Sequence, residues 1–112
     1  MRVISQDGTI DVPYEYFSLS MSSGKYKDTE VAYIYCHNSS SPIGTKLAEY
    51  STEAKAIKAM QMLRERHADN IFCREDIQYK AEMLLDDGLQ IVREMMIKYE
   101  YFRFPKDDDV KV

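Results

Sequence analysis

Apolar and polar positions alternate with period two through most of the first fifty residues, then change after Ser51 to the three-to-four-residue spacing of a helix. In the opening MRVISQDGTIDVPYE, pairing Ser5 with Ile10, Val3 with Val12 and Met1 with Tyr14 puts Met1, Val3, Ile10, Val12 and Tyr14 on one face. Arg2, Gln6, Thr9 and Asp11 fall on the other face, with Ile4 the apolar exception. Asp7-Gly8 predicts a type I′ hairpin turn, in which both central residues take positive φ. Pro13 has no N–H to donate to a ladder, so it marks an end, an edge or a bulge.

YFSLSMSS continues with strict alternation, Phe17, Leu19 and Met21 against Ser18, Ser20 and Ser22. SSGKYKDT reads as a polar turn. EVAYIYCH is the most β-prone run, opposing Val31, Tyr33 and Tyr35 to Ala32, Ile34 and Cys36. HNSSSPIG reads as a loop, and TKLAEY as a short strand leading to the first helix. The expectation is about five strands in one antiparallel meander.

STEAKAIKAMQMLRERHADN predicts a helix capped by Ser51 or Thr52, with Glu53 favoured by the macrodipole. Ala56, Ile57, Met60 and Leu63 form its apolar stripe, Lys55, Lys58, Arg64 and Glu65 face water, and Asp69-Asn70 offers a stop. Beyond it Ile77, Ala81, Leu84, Ile91 and Met95 keep helical spacing through one helix or two. Gly88, after Asp86-Asp87, either breaks that stretch or lets two helices approach closely. YEYFRFP is strand-like again, Pro105 ends it, and residues 106–112 read as a charged tail. The expected architecture is an α+β domain over residues 1–105. It has an N-terminal antiparallel sheet of about five strands, two or three helices packed on it, and a short C-terminal aromatic strand.

With this order on the page, a resemblance can be stated. MRVISQDGTIDVPYE, LAEYSTEAKAIKAMQML and YEYFRFPKDDDV together resemble short proteins carried by phages, prophages and other mobile elements of Gram-positive bacteria. Residues 16–46 and 68–96 do not take part in the resemblance. It implies an origin but no activity and no catalytic residues. Asp7, Gly8, Pro13, Tyr14, Ser51 and Glu53 match its pattern, and each also has a turn, cap or packing explanation.

Composition narrows the function classes. At 112 residues the chain can bury roughly two-thirds of its unfolded surface, enough for one core. The net charge of −4 is spread evenly: residues 1–50 hold 4 basic and 6 acidic side chains, residues 51–112 hold 11 and 13, so each part nets −2. Long-range attraction to duplex nucleic acid is therefore absent. No run of apolar residues is long enough for a membrane span or a leader, and two cysteines suit a reducing compartment, so the expected location is cytoplasmic, in a bacterial host.

Candidate chemistry is sparse, and no motif implies a cofactor. Cys36, His37, His67 and Cys73 supply the number of ligands a structural zinc site needs, but neighbours on one strand point to opposite faces and no C-x₂-C knuckle is present. The simpler reading is a buried Cys36 and an exposed His67 at a helix end. The same residues could in principle provide a Cys nucleophile and His base. The four glycines are isolated, so there is no phosphate loop, and the carboxylate pairs read as solvated. The chain is thus expected to be non-enzymatic. Seven methionines suit a core or an adaptable docking face. Nine tyrosines suit a half-buried sheet face or an interface more than base stacking, since the strands offer few cations.

Two partner classes follow. A protein partner, or a second copy in a homodimer, would dock on EYFRFP, with Tyr101, Phe102 and Phe104 as interface residues, because an unpaired aromatic edge needs cover. As the alternative, a nucleic-acid accessory protein would use Lys55, Lys58, Arg64 and Arg66 on the first helix.

Overall fold

A computed structural model describes residues 1–81 and 100–112, without the side chains of Tyr26, Ser41 and residues 73–81. The expectations about Gly88, the stripe from Ile77 to Met95, and the Cys73 thiol lie outside the described residues. The fold is α+β, with six strands and one long helix among those residues. The strands are β1 (Arg2–Ile4), β2 (Asp11–Pro13), β3 (Ser18–Tyr26), β4 (Thr29–Asn38), β5 (Ser41–Tyr50) and β6 (Tyr101–Arg103), and the helix is α1 (Glu53–Ala81). No described helix is long and apolar enough to cross a membrane.

The first five strands do not form the single meander expected. They divide between two three-stranded sheets, ordered β2-β1-β6 and β3-β4-β5. Pro13 is the physical cause: it ends β2, and a 3₁₀ turn at Tyr14–Tyr16 carries the chain out of the first sheet. The other edge of β1 is taken in parallel by β6, with Val3 opposite Phe102. The β1–β2 register is the one alternation predicts, Val3 opposite Val12, and Ser5 N–H donates to Ile10 O at 2.8 Å.

The turn between them corrects the type I′ expectation. Gly8 has φ +79°, but Asp7 is not in the left-handed region, and Gly8 N–H donates to Ser5 O at 2.9 Å. Asp7 instead gathers the loop with its carboxylate, accepting from Ser5 Oγ (2.7 Å), Thr9 N–H (3.0 Å) and Thr9 Oγ (2.7 Å). The turn with both central residues at positive φ is Lys27-Asp28, at 50° and 64°, which closes β3–β4 with Tyr26 opposite Thr29. SSGKYKDT is therefore mostly strand. HNSSSPIG also departs from its loop reading: β5 starts at Ser41, and Gly44, at φ +92°, takes up the irregular register opposite Cys36–Asn38. A second irregularity leaves Leu47 without an opposite residue, so Leu47 and Ala48 are both buried.

Thr52 caps α1, its Oγ1 accepting from Lys55 N–H at 3.1 Å, and the Glu30 carboxylate of β4 accepts from Glu53 N–H at 2.9 Å. The helix runs through Asp69-Asn70 to Ala81, since no Gly or Pro interrupts it, and Asn70 is buried. Ala56, Ala59 and Leu63 are fully buried against the inner face of β4 and β5, where Ala32, Ile34, Cys36, Ala48 and Tyr50 point. The small side chains at 56 and 59 let the helix approach the sheet closely.

Residues 106–112, expected to be a charged tail, lie against the body. Val110 is buried, and the Asp107 carboxylate accepts from Ser51 N–H (2.8 Å), Ser51 Oγ (3.0 Å) and Lys55 Nζ (3.2 Å). Tyr50 donates its hydroxyl to Pro105 O at 2.8 Å. The physical reason is that Asp107 meets donors left open where β5 passes into α1, a long-range match that local composition does not reveal.

Candidate functional site

The expected interface is largely interior. Phe102 and Phe104 are 5% and 1% exposed, pack edge-on at 5.2 Å between ring centroids, and close the core between the two sheets. Pairing of β6 with β1 covers the edge that an isolated aromatic strand would leave open, so neither phenylalanine is available to a partner. Tyr101 alone keeps substantial exposure, and its carbonyl accepts from Arg66 Nη1 at 3.0 Å.

Of the expected basic patch, Arg64 lies apart from the other three residues. At 100° per residue, Lys55, Lys58 and Arg66 fall within about 80° on one flank of α1, and Arg64 lies roughly 120–180° away. Lys55 is held by Asp107 and Arg66 by Tyr101 O. The zinc candidates are also apart. Cys36 is buried in the core, where desolvation raises its thiol pKa, while His37 is on the opposite sheet face and His67 is on α1. No cluster of three or more His, Cys, Asp or Glu suited to a metal occurs among the described residues.

What the fold builds instead is a cleft of about 510 Å³ between the start of β3 and the middle of α1. Tyr14, Glu15, Phe17 and Leu19 line one side, and Met60, Leu63, Arg64 and His67 the other. The helical four follow i, i+3, i+4, i+7 spacing and so form one face. Its floor is apolar. Its rim is not: the His67 ring lies 4.2 Å from that of Tyr14 and tilted by 40°, with Nδ1 buried and unbonded. Arg64 is exposed and makes no hydrogen bond or ion pair among the described residues. Glu15 accepts from the Met1 ammonium at 3.1 Å. Its pKa is lowered because hydrogen bonds and the positive charges of Met1 and His67 outweigh the opposing burial penalty, the largest single contribution.

The cleft adjoins an open sheet edge. β5 is closed by Gln6, whose N–H donates to Leu47 O (2.8 Å) and whose Oε1 accepts from Glu49 N–H (3.1 Å). β3 has β4 on one side and no strand on the other among the described residues. Its nine residues pair with β4 without a register shift and contain no proline. Such edges are ordinarily blunted by bulges, prolines or charge, and β3 carries only Lys25. Because Lys27-Asp28 is a two-residue type I′ turn, Tyr26 and Thr29 form a hydrogen-bonded pair, which aims the N–H and C=O of Leu19, Met21, Ser23 and Lys25 outward.

Sequence reasoning missed this site by dividing Met60 and Leu63 from Arg64 and by placing His67 at an exposed helix end. The signal present was the shared face of positions 60, 63, 64 and 67; the half supplied by Tyr14–Leu19 depends on where Pro13 sends the chain. Compared with protein-family models, curated proteins and solved structures, the chain matches none.

Proposed function

We propose that this is a non-enzymatic protein-interaction protein, encoded by a phage or mobile element, that docks a partner protein by strand addition at the β3 edge. The observation that carries the reading is the regular, proline-free outer edge of β3 beside a half-apolar cleft. Backbone groups aimed outward supply generic affinity, and a neighbouring pocket supplies selectivity, which is how edge-strand recognition works. The engagement of Lys55 by Asp107 and of Arg66 by Tyr101 O, with Arg64 on another face, speaks against the nucleic-acid alternative, because counterion release needs several available cations on one surface.

Affinity capture from a nuclease-treated lysate of a Gram-positive host tests the reading. Ser23→Pro removes an outward N–H while leaving the β3–β4 ladder in place. A partner retained by the unaltered chain and lost with Ser23→Pro, at equal thermal midpoint, is the expected result. Capture that disappears with nuclease, or persists with Ser23→Pro, overturns it.

A further inference from the structure

We propose that the partner segment is an extended peptide that lays a fourth strand on β3, seats an apolar side chain in the cleft, and presents an Asp or Glu side chain to Arg64 and His67. The inference rests on the strand-addition reading and names what the added strand must carry. Four observations converge on it.

Inward-facing side chains of the second sheet point toward α1, and Leu19 on β3 lies in the cleft with Phe17. A strand added outside β3 would therefore direct alternate side chains over Phe17, Leu19, Met60 and Leu63, a floor suited to an aliphatic or aromatic group. The next inward position, two residues along, falls beside the rim. There the open group is the Arg64 guanidinium, which makes no ion pair among the described residues, beside the His67 ring, whose Nδ1 is buried without a hydrogen bond. A carboxylate pairs with the guanidinium, and it accepts from His67 Nδ1–H once a turn of the ring brings that N–H into the cleft. Glu15 accepts from the Met1 ammonium through Oε1 and makes no hydrogen bond to Arg64 or His67, although its charge interacts with that of His67.

The same chemistry decides between occupants. A second copy pairing β3 with β3 would bring SLSMSSGKY to the groove, which has no carboxylate and would set Lys25 near Arg64. A peptide terminus is also disfavoured as the anion, because the edge continues to Tyr26 and nothing among the described residues stops a chain beside the cleft. The recognised element is therefore internal, with an apolar residue and an acidic residue at spacing i, i+2.

Selection of a yeast-displayed random decapeptide library on the full chain tests this. The expected result is enrichment of an apolar residue two positions from Asp or Glu. A synthetic decapeptide of that pattern, amidated at its C-terminus, should bind in fluorescence anisotropy. Arg64→Glu should weaken it at least ten-fold and shift preference toward a Lys-substituted peptide, while His67→Ala weakens it to a lesser degree. Arg64 is exposed and His67 is half-buried at the rim, and equal thermal midpoints confirm that the fold is kept. Enriched peptides without acidic residues, or insensitivity to Arg64→Glu, overturn the inference; if N-methylation of the peptide backbone still abolishes binding, strand addition itself stands. Binding by the free-acid peptide and not by its amidated form, a requirement for a terminal carboxylate, overturns the internal-element assignment. A dimer in light scattering that is lost with Ser23→Pro, and that excludes the peptide, overturns the peptide in favour of a second copy. No enrichment above an unrelated control overturns both readings.

Discussion

The β2-β1-β6 sheet and the β3-β4-β5 sheet have three strands each and are held by opposite means. The first draws its strands from both ends of the chain, and its strands are only three residues long. It depends on contacts distant in sequence: Phe104 N–H to Ile4 O (3.1 Å), Gln6 Nε2 to Pro105 O (3.1 Å) and Arg103 Nη2 to Gln6 O (3.2 Å). The second is continuous in sequence from Ser18 to Tyr50, and the outer edge of β3 has no strand partner among the described residues. Short strands with buried aromatics leave only three-residue edges at β2 and β6; the long β3, with serine on one face, leaves a nine-residue edge. On the strand-addition proposal, the first sheet serves stability and the second docking.

The comparison is broken most directly in the core. Phe104→Ala, at a site 1% exposed, should cost about 3–5 kcal/mol in denaturant unfolding. Leu19→Ala, at the half-exposed cleft beside the open edge, should cost about 1–2 kcal/mol, because fewer of its methylenes leave water on folding. Equal losses would mean that the β3 edge is as enclosed as the first sheet. Within the second sheet, Gly44→Ala should cost about 1–2 kcal/mol, since a left-handed backbone strains an L-residue. Its added Cβ would also lie 3.2 Å from Cys36 O, whereas nothing lies within 4 Å of a Cβ at Gly24, which has no such φ. Gly24→Ala should stay within about 0.5 kcal/mol of the parent.

These regions were not equally legible in the sequence. Alternation found β1, β2 and the hearts of β3 and β4, and helical spacing found the first half of α1, because each signal is local. The division into two sheets was hidden, since it depends on Pro13 ending one ladder and on β6 arriving from residue 101. The role of EYFRFP was misassigned for the same reason: its strand character was plain, but its parallel partner β1 lies at the other end of the chain. The cleft was half legible, as a helix face that combines Met60 and Leu63 with Arg64 and His67. Its other wall required the tertiary path.

The join between the sheets carries a pH signature. Burial, reinforced by the Asp107 charge, pushes the Tyr50 phenol well above its ordinary 10.0. A raised folded value means the stabilisation is full below pH 10 and is lost as pH climbs toward the folded ionisation. Tyr50→Phe should flatten this alkaline loss of thermal midpoint. On the acid side, the Ser51 N–H foremost, with Lys55 and Ser51 Oγ, holds Asp107 below its usual 3.8. That contribution is full above pH 3.8 and lost below it, so Asp107→Asn should reduce acid sensitivity. Parallel profiles for variant and parent would show that the C-terminal segment is not latched there.

The smallest expected effects are at the two hairpin turns, and they separate the sheets again. Asp7-Gly8 has the sequence of a type I′ turn but leaves Asp7 outside the left-handed region, where its carboxylate binds Ser5 and Thr9 and its pKa drops to about 2. Lys27-Asp28 lacks a glycine yet holds both residues at positive φ, a conformation that strains each by an amount on the order of 1 kcal/mol. Asp28→Gly should therefore stabilise the protein by up to about 1 kcal/mol, offset in part by the entropy that glycine adds to the unfolded chain. Gly8→Ala should destabilise by about 1 kcal/mol through φ alone, since the group nearest its new Cβ is the movable end of Arg103, at 3.2 Å. Urea midpoints at neutral pH measure both. A gain at position 28 with a loss at position 8 locates the stored strain in the open sheet; a loss at both would show that Lys27-Asp28 is held by its side chains rather than endured by its backbone.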